Sequence, residues 1–397
     1  MQPVRFVHKG RGAVSNPQGR FERDTREPVG DGWAREPDDT DVDEAPGTVV
    51  TPDAARSIVA RNTSPDIGFD ASINPYRGCE HGCAYCYARP GHAFLGLSPG
   101  LDFETRLFAK MEAPALLEAE LAQPGHRPEP IAIGTVTDAW QPVERRLRLT
   151  RGCLEVFART RHPVSLITKS SLVERDLDLL APMARDGLAY AMITVTTLDP
   201  ALSRILEPRA PAPWRRLETI RRLAHAGVPV GVSLAPIIPF VNEPEIEAIL
   251  DAVHAAGARY ANYVVLRLPF ELVEMVHGWL REHFPDRADR VVARLRDLRG
   301  GRDNDPRFGW RMKGQGPWAD LIRSRFDARL RRWGSGRERP TLRTDLFRAP
   351  ARPSRPSRPS RPHGAASPTA SESEVMARAV PGRGGPSDEP PRQGSLF

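Results

Sequence analysis

Between residues 70 and 266 the sequence repeats one pattern, a short apolar and β-branched run followed by an amphipathic stretch. The runs fall at 131–136, 164–168, 191–196, 228–234 and 260–266, with one more at 70–75. Helical periodicity fills about 144–161, 172–186, 213–226 and 243–256. Gly227 and Gly257 stand just past two of these stretches, where a helix C-terminus favours glycine. Strand–helix alternation of this kind predicts parallel strands joined by right-handed crossovers. Six such units predict an α/β fold, a partial (β/α)6 TIM-like barrel. In such folds ligands gather at the C-terminal ends of the strands.

The flanks read differently. Residues 1–65 are polar and rich in Gly and Pro, with an acidic run at 38–44, and are expected to be mostly disordered. The barrel is expected over 66–270 and a helical C-terminal extension over 271–348, with helices near 272–283, 288–298 and 318–333. The polar stretch 300–316 carries Phe308, Trp310 and Met312, so an ordered loop is expected there. From 349 to 397 the chain is a Pro/Arg/Ser-rich tail that cannot bury a core.

Composition narrows the class. No apolar run approaches the length of a membrane span, and the N-terminus lacks an apolar signal core. Four cysteines in 397 residues do not make a secreted disulfide scaffold. The expectation is a cytoplasmic protein without membrane association. A net charge of +7 permits an acidic partner such as DNA or RNA.

Three of the four cysteines sit on one loop: Cys79-Glu80-His81-Gly82-Cys83-Ala84-Tyr85-Cys86. Three thiolates can hold three irons of a four-iron four-sulfur cluster and leave the fourth iron open. A structural zinc site of Cys79, Cys83, Cys86 and His81 is the main rival, although such sites usually divide their ligands into two separated pairs. A redox disulfide pair and inert buried thiols are further rivals. A zinc-binding, non-catalytic adaptor therefore stands as the alternative to an enzyme.

With Tyr85 just before the last cysteine, this loop resembles that of the radical S-adenosylmethionine superfamily, over about 70–270. Tyr87 after the last cysteine makes it similar to the spore photoproduct lyase-like branch. The runs at 74–82 and 95–105 resemble an uncharacterised bacterial subfamily of that branch. The resemblance implies a 4Fe-4S cluster and S-adenosyl-L-methionine as cofactors. It implies reductive cleavage of S-adenosylmethionine to a 5′-deoxyadenosyl radical, and a reductant such as flavodoxin or ferredoxin. The protein's part is then to bind, orient and exclude water.

Strand ends supply the remaining candidates. By resemblance Thr137 would touch the cofactor's amino-acid end, and Thr137-Asp138 also reads as a helix cap. Lys169 and Ser170 follow the third strand, where the resemblance places a contact to the cofactor carboxylate; a surface lysine is the plainer reading. Thr194 and Thr196 would meet the ribose, or are ordinary β-branched strand residues. Ser233 and the backbone of 235–238 resemble the adenine-contacting segment. Glu207-Pro208-Arg209 either lines the mouth or forms a surface ion pair. Tyr85 and Tyr87 are candidate catalytic radical relays. In spore photoproduct lyases a cysteine at the end of the second strand returns a hydrogen atom to the product; the matching position here is Thr135. Cys153, the only spare thiol, falls within the following helix and is expected to be buried.

The chain ends Gln393-Gly394-Ser395-Leu396-Phe397. This resembles the pentapeptide by which bacterial proteins dock on the DNA sliding clamp, with Gln393, Leu396 and Phe397 as its working parts. A clamp partner would hold the chain near DNA and raise its local concentration there.

Overall fold

The computed structural model describes residues 10–22, 47–334 and 339–351. Its strands, in chain order, are β1 Val49–Pro52, β2 Val59–Arg61, β3 Ala71–Ile73, β4 Tyr76–Arg77, β5 Arg106–Ala109, β6 Ile131–Ile133, β7 Val164–Thr168, β8 Ala189–Thr194, β9 Val230–Ile237 and β10 Tyr260–Val265. The main sheet runs β10-β9-β8-β7-β6-β3-β2. From β3 to β10 every neighbouring pair is parallel, and β2 is antiparallel on the outside edge. These are the six units of the partial barrel. A second small sheet, β1-β5-β4, stands apart from it and has no counterpart in the sequence reading.

The first helices are α1 Leu101–Thr105, α2 Ala113–Leu121, α3 Glu144–Leu147 and α4 Leu149–Thr160. They are followed by α5 Leu177–Arg185, α6 Pro200–Leu206, α7 Pro213–His225 and α8 Ile246–Ala255. The single helix expected over 144–161 is divided at Arg148, whose φ is 54°. The cause is Glu144, whose carboxylate accepts the free N–H groups of Thr150 and Arg151 and so starts a new helix.

Side chains alternate between two faces of the sheet, as a period of two requires. One face, with Ile133, Leu166, Ile193 and Val232, shares a core with Phe157, Leu180, Ile220 and Leu250 of the surrounding helices. The other faces the barrel interior, where Ile167, Tyr190, Met192 and Tyr260 pack on Leu342. Leu342 belongs to the segment after the last helix and plugs the N-terminal end of the strands. Gly231 is needed here, since a Cβ would lie 2.0 Å from the Tyr260 ring and 2.7 Å from Met192 Sδ.

Three more helices follow β10: α9 Leu272–His283, α10 Ala288–Leu298 and α11 Pro317–Arg331. Helix α11 is tied to α8 by Arg325 with Glu247 at 2.7 Å and by Arg329 with Asp251. Between α10 and α11 the chain forms a strap across the open side of the barrel. Val265 N–H at the end of β10 donates to Met312 O at 2.8 Å. At the other edge Arg311 reaches Asp66, in the turn between β2 and β3, at 2.6 Å. Buried Arg299 donates to the carbonyls of Val265, Leu266, Trp310 and Arg311, fixing strap to strand.

The expectation of disorder over 1–65 needs correction. Ala13 and Val14 are buried, and the N–H groups of Gly12 and Ala13 donate to the carboxylate of Glu104 at 3.1 and 2.8 Å. Residues 49–52 and 59–61 are strands. A buried carboxylate far along the chain captures this arm, and local polarity carries no trace of that. The acidic run at 38–44 and the terminal pentapeptide lie outside the described residues. No helix among the described residues is long and apolar enough to cross a membrane.

Candidate metal and cofactor site

The cysteine loop begins just past β4, which follows β3 at the C-terminal end of the parallel sheet. Gly78, with φ 78°, turns it inward. Cys79 N–H donates to Phe103 O at 2.9 Å, and Ala84 N–H to Leu206 O at 3.0 Å. Glu80 N–H donates to Gln141 Oε1 at 2.8 Å, and the Glu80 carboxylate accepts Val143 N–H at 2.6 Å. The loop is thus laced to three other segments of chain.

A buried ion pair holds it from beneath. Arg89 and Glu104 are both 0% exposed and meet at 2.5 Å. Arg89 also donates to the carbonyls of Cys83, Pro99 and Gly100. The N-terminal arm closes over the top: a Cβ at Gly12 would lie 1.7 Å from Gly82 O.

All four cysteines are free thiols. Cys79 and Cys83 are buried and Cys86 is half-buried. Burial pushes the Cys83 thiol up to about 12, against the pull of Lys169. Burial likewise raises Cys79, and Asp138 and Cys83 add to it. Thiols in this condition become thiolates only when a cation arrives to compensate them. The donor set therefore suits a metal group, with three thiols on one loop and one more cation, Lys169, facing them. His81 is 2% exposed and stands 3.3 Å from Asp138 through Nδ1. Among the described residues no three His, Cys, Asp or Glu side chains converge on one metal ion. Cys153 lies on α4 in the layer between helix and sheet, away from the loop.

The other candidates divide into two groups. Thr137 and Ser170 serve the local structure. Thr137 donates to Gly78 O at 2.6 Å and accepts from Gln141. Ser170 caps the turn Ser171–Asp176 by accepting Leu172 N–H. Asp138 joins β6 to β7 by accepting Thr168 Oγ1–H at 2.7 Å and Lys169 N–H at 2.8 Å. Burial opposes its charge, but His81 and these donors hold its carboxyl below the usual range.

The second group faces the interior. Register places Thr194 beside Ser233 and Ser233 beside Asn262. Lys169, two residues past inward-facing Ile167, extends this row. The four make a polar shelf above the apolar floor of Met192 and Tyr260. Asn262 Oδ1 and Thr196 Oγ1 are buried and have no hydrogen-bond partner among the described residues. Burial disfavours the Lys169 ammonium, but Cys83 and Glu207 outweigh it and raise its pKa.

Tyr85 and Tyr87 are both anchored by their hydroxyls. Tyr87 donates to Thr135 O. Tyr85 donates to Glu207, which is paired with Arg216; both of these are almost fully buried. Arg216 further donates to Pro211 O and Thr194 O. Glu207 is therefore neither a mouth charge nor part of a surface pair, and Arg209 pairs instead with Glu80 at 3.4 Å. Thr135 accepts from Asn74 Nδ2 at 3.1 Å. Arg89, Arg216 and Asn262 were missed by sequence reasoning. Only Asn262 carried a local signal, its place two residues after Tyr260 on the inward face.

The comparisons with known proteins agree with this geometry. The model of the radical SAM superfamily matches residues 73–253. An uncharacterized protein of Mycobacterium tuberculosis is 34% identical over 232 residues, 58% of this chain and 67% of the relative. This chain belongs to the radical SAM superfamily. An uncharacterized protein of Methanocaldococcus jannaschii is 29% identical over 173 residues, 44% of this chain and 62% of that one. Among solved structures, a tyrosine-to-phenylalanine mutant of spore photoproduct lyase superposes with a TM-score of 0.51 at 13% identity, covering 72% of this chain and 79% of that one. That likeness is one of fold. Radical SAM enzymes use a four-iron four-sulfur cluster and S-adenosylmethionine, and they need a reductant. The loop with Cys79, Cys83 and Cys86 lies within the matched residues, at the mouth of the barrel.

Proposed function

We propose that this chain is a cytoplasmic radical S-adenosylmethionine enzyme with lyase-type chemistry on a nucleic-acid substrate. The observation that carries the reading is that one loop with three thiols, Lys169 and the polar shelf all lie at one end of the barrel. Cys79, Cys83 and Cys86 would hold the cluster. Its chemistry, when bound, is delivery of one electron that breaks a carbon–sulfur bond of S-adenosylmethionine and so furnishes a hydrogen-abstracting radical. Lys169 supplies a cation for the ligand's carboxylate, as the only such cation beside Cys83 that no hydrogen bond or ion pair engages among the described residues. Thr194, Thr196 and Ser233 supply hydroxyls for the ribose and adenine. The Asn242 amide, bonded to Thr196 O and Pro236 O, holds the segment after β9 against the end of β8.

A nucleic-acid substrate is supported by the net charge of +7 and by the terminal Gln393, Leu396 and Phe397, which fit clamp docking. The hydrogen-return step of spore photoproduct lyases is disfavoured. Position 135 is a threonine held by Asn74, and Cys153 is sealed in the outer core.

The test is anaerobic reconstitution with iron and sulfide, followed by incubation with a reductant and S-adenosylmethionine. Wild type and Cys153→Ala should hold iron and release 5′-deoxyadenosine. Cys79→Ala, Cys83→Ala and Cys86→Ala should lose both. One equivalent of zinc without iron would instead establish the adaptor. Single- and double-stranded oligonucleotides should raise the yield of 5′-deoxyadenosine above the substrate-free level, and no rise would remove the nucleic-acid half of the proposal.

A further inference from the structure

The partial barrel is open between β10 and β2–β3, and the two covers described above do not close all of that seam. The strap closes its upper part through Met312 and Arg311. Leu342 closes the bottom, and nearby Arg339 reaches Gly68 O at 3.4 Å. Between them a window of about 330 Å³ remains, a size that takes a small ligand or one group of a larger one.

The lining is chemically one-sided. Its floor is apolar and aromatic, with Met192, Tyr260 and Phe326. Its rim carries Lys313, Arg323 and Arg339, and no lining residue is acidic. Lys313 is held over the Tyr263 ring, its Nζ 3.3 Å from the ring centre, so one of these charges is fixed in place. Arg323 is exposed, and its ion pair with Asp320, at 3.3 Å, lies outside the lining. At the inner end stands Asn262, the residue of the polar shelf whose buried Oδ1 has no partner among the described residues. Three cations around an apolar floor attract an anion that carries a hydrophobic body. An unpartnered amide oxygen at the inner end calls for an N–H or O–H donor on that body.

We propose that this window binds the phosphate of a phosphorylated ligand, with Lys313, Arg323 and Arg339 on the phosphate and Asn262 on a donor of the attached group. The ligand's reacting part then passes Asn262 toward the shelf. This deepens the reading above and rests on it for the statement that the shelf is where reaction occurs. The phosphate site itself stands on the window alone. The chemistry is shared by a free phosphate, a mononucleotide and a polynucleotide, and it assigns the seam as the entry side.

The test measures binding to the full chain, both iron-loaded and iron-free, by titration calorimetry. The probes are inorganic pyrophosphate, a nucleoside 5′-monophosphate with its unphosphorylated nucleoside, and a short single-stranded oligonucleotide. At least one phosphorylated probe should bind, the nucleoside should bind more weakly, and binding should weaken with salt. Loss of the two exposed cations together, in Arg323→Gln/Arg339→Gln, should weaken binding by about tenfold or more, the equivalent of about one charge-assisted hydrogen bond. Neither residue is buried, so this variant should keep the wild-type melting temperature. Asn262→Leu should weaken the nucleotide more than pyrophosphate. Pyrophosphate binding alone carries the anion site and removes the role of Asn262. No binding of any phosphorylated probe, or binding unchanged in the double variant, overturns the site. If iron loading fails while phosphate binding persists, the radical reading falls and the window stands.

Discussion

Replacing Glu104 by Gln should show how far the cysteine loop depends on one buried ion pair. Glu104 and Arg89 are both fully buried. The carboxylate also accepts two N–H groups of the N-terminal arm. Glutamine keeps the shape and one acceptor oxygen but leaves the Arg89 guanidinium without its counter-charge. Breaking a buried pair on one side costs about 3–5 kcal/mol. A domain of this kind has about 5–15 kcal/mol in all, so the loss is a large fraction of the total. At about 2–4 °C per kcal/mol, the melting temperature should fall by at least about 6 °C. Because Arg89 also holds Cys83 O, iron retention after reconstitution should fall with it. Thermal unfolding of Glu104→Gln, Arg89→Met and the double variant gives a cycle in which the double costs less than the sum by about 2 kcal/mol or more. Additive effects, or a Glu104→Gln protein that melts within about 1 °C of wild type, would refute the reasoning.

Two further outcomes follow from the fold. Burial pushes both His92 and His162 down to about 4 from 6.5, so between those pH values the unfolded chain takes up protons that the native one refuses. Stability should therefore be full above about pH 6.5 and fall by about 3 kcal/mol per histidine on the way to pH 4; urea titrations across that range should show a shallower fall in His162→Phe. Gly231→Ala should cost about 1–3 kcal/mol by overpacking against the Tyr260 ring, measured as a lower urea midpoint with unchanged slope, whereas the same change at open Gly125, which has φ 80° and no neighbour within 4 Å, should reflect backbone strain alone.

The parts of this molecule visible in its sequence are those with a period or a short spacing. The strands at 131–136, 164–168 and 260–266 could be read because alternation and β-branching are local. The cysteine loop stood out because its three thiols lie within eight residues. The interior shelf was half legible: Lys169, Thr194 and Ser233 stood out at strand ends, while Asn262 needed the register of β10 on β9 to be seen. The supports were not legible. Arg216 meets Glu207 and Arg311 meets Asp66 only after the chain has folded, and nothing in a buried arginine's neighbours along the chain distinguishes it from an exposed one. The arm at 10–22 was hidden for the same reason, since its partner, Glu104, lies some ninety residues on.

The strap has a consequence for where this protein can be cut. The superfamily match ends at residue 253, and a truncation near 270 would retain all six parallel strands. It would also remove Arg299, Arg311 and Met312, and with them the strap that joins the first edge of the barrel to the last across its opening. The heritable unit is then longer than the recognisable one. A recombination that exchanged barrels between relatives at the end of β10 would separate Asp66 from its arginine and leave the hybrid unlatched, however well its strands matched.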